Sequence, residues 1–341
     1  MFSKSRKLGN ESLRPVLRLL RQLVAAMLLS FLLPVTLVSA AAGVTHLSSQ
    51  PGRLVDIDTH RLHIWCVGSG QPTVIIDSGL GGNSLEWIKV QRSLARHVRV
   101  CSYDRAGYGW SEPGPLPRTS SRIVDELFAL LAEADLAGPY VLVGHSFGGY
   151  TMQLFANRYP NKTAGLVLVD SSHPEQFERF LAPPIKVNLA PSGRNRVMLL
   201  SPSPPVHENL PDEVKSLVRT LNLKGTARAA MGHELLDFRL SAQQVRDASD
   251  LPNVPMVVLT RGKRVWSQSD RGQRMEQLWL QLQVELAERA QRVTHIVAES
   301  SGHHIHLDQP ELVADSVHMI VDRVRSGGVY IAREFATPPA I

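Results

Sequence analysis

The stretch Tyr140-Val141-Leu142-Val143-Gly144-His145-Ser146-Phe147-Gly148-Gly149-Tyr150 decides how the rest of the chain is read. Its first four residues are apolar and β-prone, the composition of a buried strand. They run into Gly144-His145-Ser146-Phe147-Gly148, which fits the G-x-S-x-G pattern of a nucleophile elbow. Met152, Phe155, Ala156 and Tyr159 follow at helical spacing, and Pro160 ends the run. Glycine and serine are common, so the five-residue pattern alone carries little; the strand in front and the helix behind give it meaning. A serine hydroxyl is a weak nucleophile and must be presented on a sharp turn. The small residues Gly144 and Gly148 leave room for that turn. The helix behind it aims its first N–H groups at the reacting centre.

Strands and helices alternate outward from the elbow. Arg53 to Ile57 and Arg61 to Val67 read as a hairpin turned at Asp58-Thr59-His60. Thr73 to Asp77 is a strand running into Ser78-Gly79-Leu80-Gly81-Gly82, and a helix is expected through Trp87, Val90 and Leu94. Val98 to Tyr103 is a strand followed by the glycine-rich loop Asp104 to Ser111. Thr119 or Ser120 caps a helix with apolar positions Ile123, Leu127, Leu130, Leu131 and Ala134. Leu166 to Val169, Val254 to Thr260 and Val293 to Val297 are further strands, and a last helix starts near Pro310. Such alternation means a mostly parallel sheet covered on both faces. Ser171 to Asp250 breaks it: Pro-rich between Pro183 and Pro211, then helical in pattern over Val214 to Leu221 and Thr226 to Leu240. We read residues 171–250 as a helical cap inserted between core segments 52–170 and 251–325, with a loose tail at 326–341.

The 341 residues are 43% hydrophobic and 20% charged, an ordinary globular composition. The formal charge of +6 is concentrated in residues 1–22, where Lys4, Arg6, Lys7, Arg14, Arg18 and Arg21 face only Glu11. The rest of the chain is almost neutral, which excludes the basic face of a nucleic-acid binder. The basic residues precede an uncharged run from Leu23 to Thr45. Residues 1–45 therefore read as a membrane anchor with the domain outside the cytoplasm, or alternatively as a signal cleaved after Ala40.

The elbow, the loop Asp104 to Ser111 and the late Gly302-His303, in this strand order, resemble the α/β-hydrolase fold superfamily over roughly residues 52–325, the cap excepted. Within it the chain resembles the capped serine-hydrolase branch that contains esterases, lipases and aminopeptidases, and the N-terminal segment resembles that of envelope-bound bacterial members. The resemblance implies an eight-stranded, mostly parallel sheet with the cap after the sixth strand. It implies Ser146 as nucleophile and His303 as base, with His304 and His306 as neighbours in the loop. For the acid it offers Asp170, which we favour, or Asp270, because Arg261-Gly262-Lys263-Arg264 carries no carboxylate. The backbone N–H groups of Leu80 and Phe147 would form the oxyanion hole, although Ser78-Gly79 replaces the commoner His-Gly. Asp104 and Arg105 are expected as ion-pair or backbone partners, and Trp87, Trp266 and Trp279 as packing residues. Cys66 and Cys101 would fall on neighbouring strands, either disulfide-bonded or as two buried thiols.

The activity implied is hydrolysis of a small-molecule carboxylic ester or related acyl compound, with no cofactor and no metal. A peptidase, an acyltransferase or a non-catalytic binding protein of the same fold are the alternatives. A serine nucleophile speaks against epoxide hydrolases and haloalkane dehalogenases, which use aspartate there, and the cap region contains no tyrosine.

Overall fold

The computed structural model describes residues 50–180, 206–248 and 251–327. The anchor or signal expected at 1–45, the stretch 181–205 of the cap and the tail from 328 lie outside the described residues.

In chain order the elements are β1 (Arg53–Asp56), β2 (Arg61–Val67), β3 (Thr73–Asp77), α1 (Ile88–Leu94), β4 (Val100–Tyr103), α2 (Ser120–Glu133), β5 (Tyr140–His145), α3 (Phe147–Arg158) and β6 (Thr163–Val169). Next come four helices with no strand among the described residues: α4 (Gln176–Phe180), α5 (Asp212–Asn222), α6 (Gly225–Leu236) and α7 (Phe238–Asp247). The core resumes with β7 (Met256–Arg261), α8 (Asp270–Glu288), β8 (Val293–Ala298), α9 (Ile305–Asp308) and α10 (Pro310–Arg325). The strands form one eight-stranded sheet in the order β1-β2-β4-β3-β5-β6-β7-β8. It is antiparallel at β1–β2 and β2–β4 and parallel elsewhere.

Side-chain alternation divides the core between the two sheet faces. Ile75, Leu142, Leu166 and Val258 pack with Ile123, Leu127 and Phe155 from α2 and α3. Val74, Val141, Val143, Val167 and Leu259 pack with Val90 and Leu94 of α1 and Val313, Val317 and Ile320 of α10. A parallel sheet buried on both faces requires strands that are apolar throughout, and β3, β5 and β7 are fully buried.

Two elements differ from the sequence reading. The helix expected over Thr226 to Leu240 is broken at Asp237, whose carboxylate accepts a hydrogen bond from the Arg118 N–H at 2.7 Å. Helix α8 is the second difference. Trp279, Leu282, Leu286 and Ala287 carry its apolar stripe, amid charged and amide side chains, and Ser269 caps it by accepting from the Gly272 N–H.

Cys66 and Cys101 stand opposite each other in the β2–β4 register and form a disulfide. The carboxyl ends of β3, β5 and β6 are level, with Asp77 beside Gly144 and His145 beside Val169. The loops leaving these three strands therefore start at one edge of the sheet.

Candidate active site

Ser146 sits between β5 and α3 at φ 49°, ψ −119°. A non-glycine residue holds such a conformation only where its surroundings over-determine it, at a cost of about 1–3 kcal/mol. Here the Ser146 N–H donates to the Val169 carbonyl, and its own carbonyl accepts from the N–H groups of Gly149 and Ser172. The flanking glycines are required by close approach. A Cβ on Gly148 would lie 2.5 Å from the Asp77 carbonyl oxygen, and one on Gly144 2.7 Å from that of Gly148.

His303 lies in the loop between β8 and α9. Its Nε2 is 3.0 Å from Ser146 Oγ and its Nδ1 is 2.6 Å from Asp170 Oδ2. The imidazole is 31% exposed and the carboxylate 0%, so one end of this chain meets the cavity and the other is sealed. Asp170 also accepts from the Arg261 backbone N–H and guanidinium and from Trp279 Nε1. Burial pushes its pKa up, but His303, Arg261 and Trp279 outweigh burial and hold it below the usual carboxylate range. Asp270 is exposed at the start of α8 and takes no part in these contacts.

His145, the variable residue before the serine, is buried and donates from Nε2 to the His303 carbonyl at 2.9 Å. Burial first, then the imidazoles of His306, His303 and His304, holds its pKa well below the ordinary value, so it acts as a neutral hydrogen-bonding strut. His304 meets the cavity, with its pKa lowered by burial to about 4. His306 is fully buried and stacks on Trp87 with ring centroids 4.3 Å apart. Among the described residues no group of three His, Cys, Asp or Glu side chains could hold a metal ion.

Ser146 opens into a cavity of about 870 Å³. Gly79, Leu80 and Gly81 form one wall; Phe180, Trp266 and Trp279 give it an aromatic wall; Glu86, His207 and His304 give it a polar one. Burial raises the Glu86 carboxyl to about 8, so it is largely uncharged at neutral pH. Phe147 opens α3, so its N–H is one of the donors a helix start leaves unpaired. The Leu80 N–H has no acceptor among the described residues.

The tryptophans do more than pack. Trp279 bonds Asp170, Trp87 Nε1 donates to Ser78 Oγ, and the Arg261 guanidinium lies over both the Trp266 and the Trp279 ring. Arg261, Trp279, His145 and Glu86 were missed as site residues. Arg261 and His145 stood at features the sequence singled out, the end of a strand and the elbow, whereas Trp279 was read as packing alone.

A doubly wound sheet with a serine on a strained turn at its carboxyl edge, facing a histidine from the last loop, defines a class of hydrolase scaffold. The sequence profile of the Alpha/beta hydrolase family matches residues 74–316, and the chain belongs to that family. Protein YqjL of Bacillus subtilis is 27% identical over 248 residues, 72% of this chain and 82% of that one. An AB hydrolase superfamily protein of Gibberella zeae is 26% identical over 286 residues, 75% of this chain and 88% of its own. Among solved structures, a probable hydrolytic enzyme from Pseudomonas aeruginosa PAO1 superposes with a TM-score of 0.63 at 18% identity, covering 80% of this chain and 94% of that one. No helix among the described residues is long and apolar enough to cross a membrane.

Proposed function

We propose that the protein is a serine hydrolase that cleaves a small carboxylic ester or related acyl compound through an acyl-enzyme. The observation that carries this reading is the unbroken chain from Ser146 Oγ through His303 to Asp170, opening on one cavity. Ser146 Oγ attacks the substrate carbonyl carbon while His303 Nε2 takes its proton. Asp170 accepts from Nδ1–H, fixes the tautomer and stabilises the imidazolium. The N–H groups of Leu80 and Phe147 receive the charge that develops on the carbonyl oxygen. Collapse of the tetrahedral intermediate breaks the carbon–oxygen bond to the leaving group, which takes the proton from His303. Water, deprotonated by His303, then attacks the acyl carbon and releases acid and free serine. No step draws on a cofactor. The aromatic wall suits an apolar acyl or alcohol part, which favours an ester over a polar peptide.

We also assign the domain to a compartment outside the cytoplasm, supported by the disulfide and by the basic-then-apolar segment at 1–45.

Labelling with a fluorophosphonate tests the reading. Wild type is expected to become covalently modified, and Ser146→Ala and His303→Ala to stay unmodified. A folded wild type that stays unmodified while binding an ester would instead favour the non-catalytic reading.

A further inference from the structure

The loop residue Arg105 is 2% exposed and belongs to none of the steps above. Its guanidinium nonetheless uses all five of its donors. Nη1 donates to Asp77 Oδ1 at 2.7 Å and to the Ser78 carbonyl at 2.5 Å. Nη2 donates to the Gly79 carbonyl at 2.9 Å and to Glu234 Oε2 at 2.9 Å, and Nε to Glu234 Oε1 at 2.8 Å. Glu234, itself 0% exposed, lies on cap helix α6 and also accepts from the Tyr108 hydroxyl. The guanidinium further sits 5.4 Å from the centre of the Phe147 ring.

The Gly79 carbonyl and the Leu80 N–H belong to one planar trans peptide, so they point in opposite directions. Holding that oxygen on the Arg105 side turns the N–H away from Arg105, and Gly79, Leu80 and Ser146 line the same cavity. Ser146 is close: a Cβ on Gly79 would stand 3.2 Å from the Ser146 Cβ. Apart from Arg105, the Gly79 oxygen accepts among the described residues only from the Gly82 N–H.

We propose that Arg105 is a positioning residue that holds the Gly79–Leu80 peptide with its N–H presented to the substrate oxygen, and that Glu234 makes this orientation depend on docking of cap helix α6. The inference rests on the serine-hydrolase reading above and adds a device to it: the oxyanion hole is complete only when the cap is seated. Lysine keeps a buried cation but has three donors for these five contacts, which reach two carbonyls and two carboxylates.

The full chain is assayed with p-nitrophenyl acetate and a fluorophosphonate, with folding followed by circular dichroism. Arg105→Lys is expected to lower kcat about 100-fold, with KM moved less than about threefold, because the lost contact serves the transition state. Phosphonylation of Ser146 should slow in step, since the phosphoryl oxygen uses the same donors. The pH midpoint of kcat/KM should stay where it is, because the His303–Asp170 pair is untouched. Glu234→Gln should cost about tenfold in kcat and add nothing in the Arg105→Lys background, the non-additivity expected of one chain of contacts. Should Arg105→Lys fail to fold, Glu234→Gln and Tyr108→Phe carry the kcat reading. A folded Arg105→Lys with kcat within about threefold of wild type overturns the proposal, as does a loss confined to thermal stability. A wild type that neither turns over the ester nor is phosphonylated overturns the hydrolase reading itself, a result distinguishable from the first.

Discussion

At the scale of single residues, the site is built from charges and dipoles that hold each other in one protonation state. Asp170 stays ionised in a buried place because an imidazole, a guanidinium and an indole N–H all point at it. Asp170→Asn keeps the shape but presents an amide to Nδ1 and favours the wrong tautomer. The expected loss in kcat is about 10⁴-fold, read by steady-state kinetics with KM little changed. Glu86 is the opposite case, a carboxyl in the cavity wall raised by burial to about 8. The folded form keeps its proton up to that pH, whereas the unfolded chain releases it near the ordinary glutamate value of 4.5. Stability from this group therefore falls as pH rises from about 4.5 to about 8, by a few kcal/mol in all. Glu86→Gln removes the dependence, so its Tm relative to wild type should climb between pH 5 and pH 8. A difference in Tm that stays constant across that range would discard this account. Ser146 and His303 were legible in the sequence because their signals are short-range: an elbow between strand and helix, and a Gly-His in a late loop. Asp170 was legible only through resemblance. Arg261 and Trp279 reach it from 91 and 109 residues away, and spacing along the chain says nothing about such contacts.

At the scale of elements, the core obeyed periodicity and the cap did not. Strands β3, β5 and β7 are buried on both faces and read directly as apolar runs. The cap helices bury narrow stripes, so a long-range polar contact decides where one helix stops. Asp237 is such a stop, separating α6 from α7 by engaging the Arg118 N–H across 119 residues. In Asp237→Ala that partly buried N–H loses its acceptor, and the expected destabilisation is about 1–3 kcal/mol by urea denaturation. The same contact explains why periodicity over Thr226 to Leu240 suggests one helix: the apolar positions continue, while the backbone turns to meet the core. Helix α8 was hidden for a related reason. Its buried face mixes Trp279, Leu282, Leu286 and Ala287 with Glu276 and Gln283, and these polar residues dilute the pattern although a serine cap marks its start.

At the scale of the whole molecule, the parallel part of the sheet is closed in by helices, and the antiparallel edge, where Val55, Leu62 and Ile64 pack with Ile123 of α2, carries a covalent tie as well. Among the described residues β1 pairs only with β2, and β2 pairs with β1 and β4. The Cys66–Cys101 disulfide joins β2 to β4 across a sequence separation of 35 residues. Closing a loop of that length restricts the unfolded chain, and the stabilisation expected is about 3–4 kcal/mol. Neither cysteine lies on a strand that supplies Ser146, Asp170 or His303, so stability and chemistry should separate. Cys66→Ser with Cys101→Ser, or reduction by dithiothreitol, is expected to lower Tm by roughly 5–15 °C. Below the lowered transition, the rate of Ser146 phosphonylation should match that of the oxidised protein. A slower reaction in the folded, reduced protein would mean that the edge of the sheet positions β4 and, through the loop carrying Arg105, the Gly79–Leu80 peptide. Two free thiols titrated in the denatured, unreduced protein would remove the staple from the account altogether.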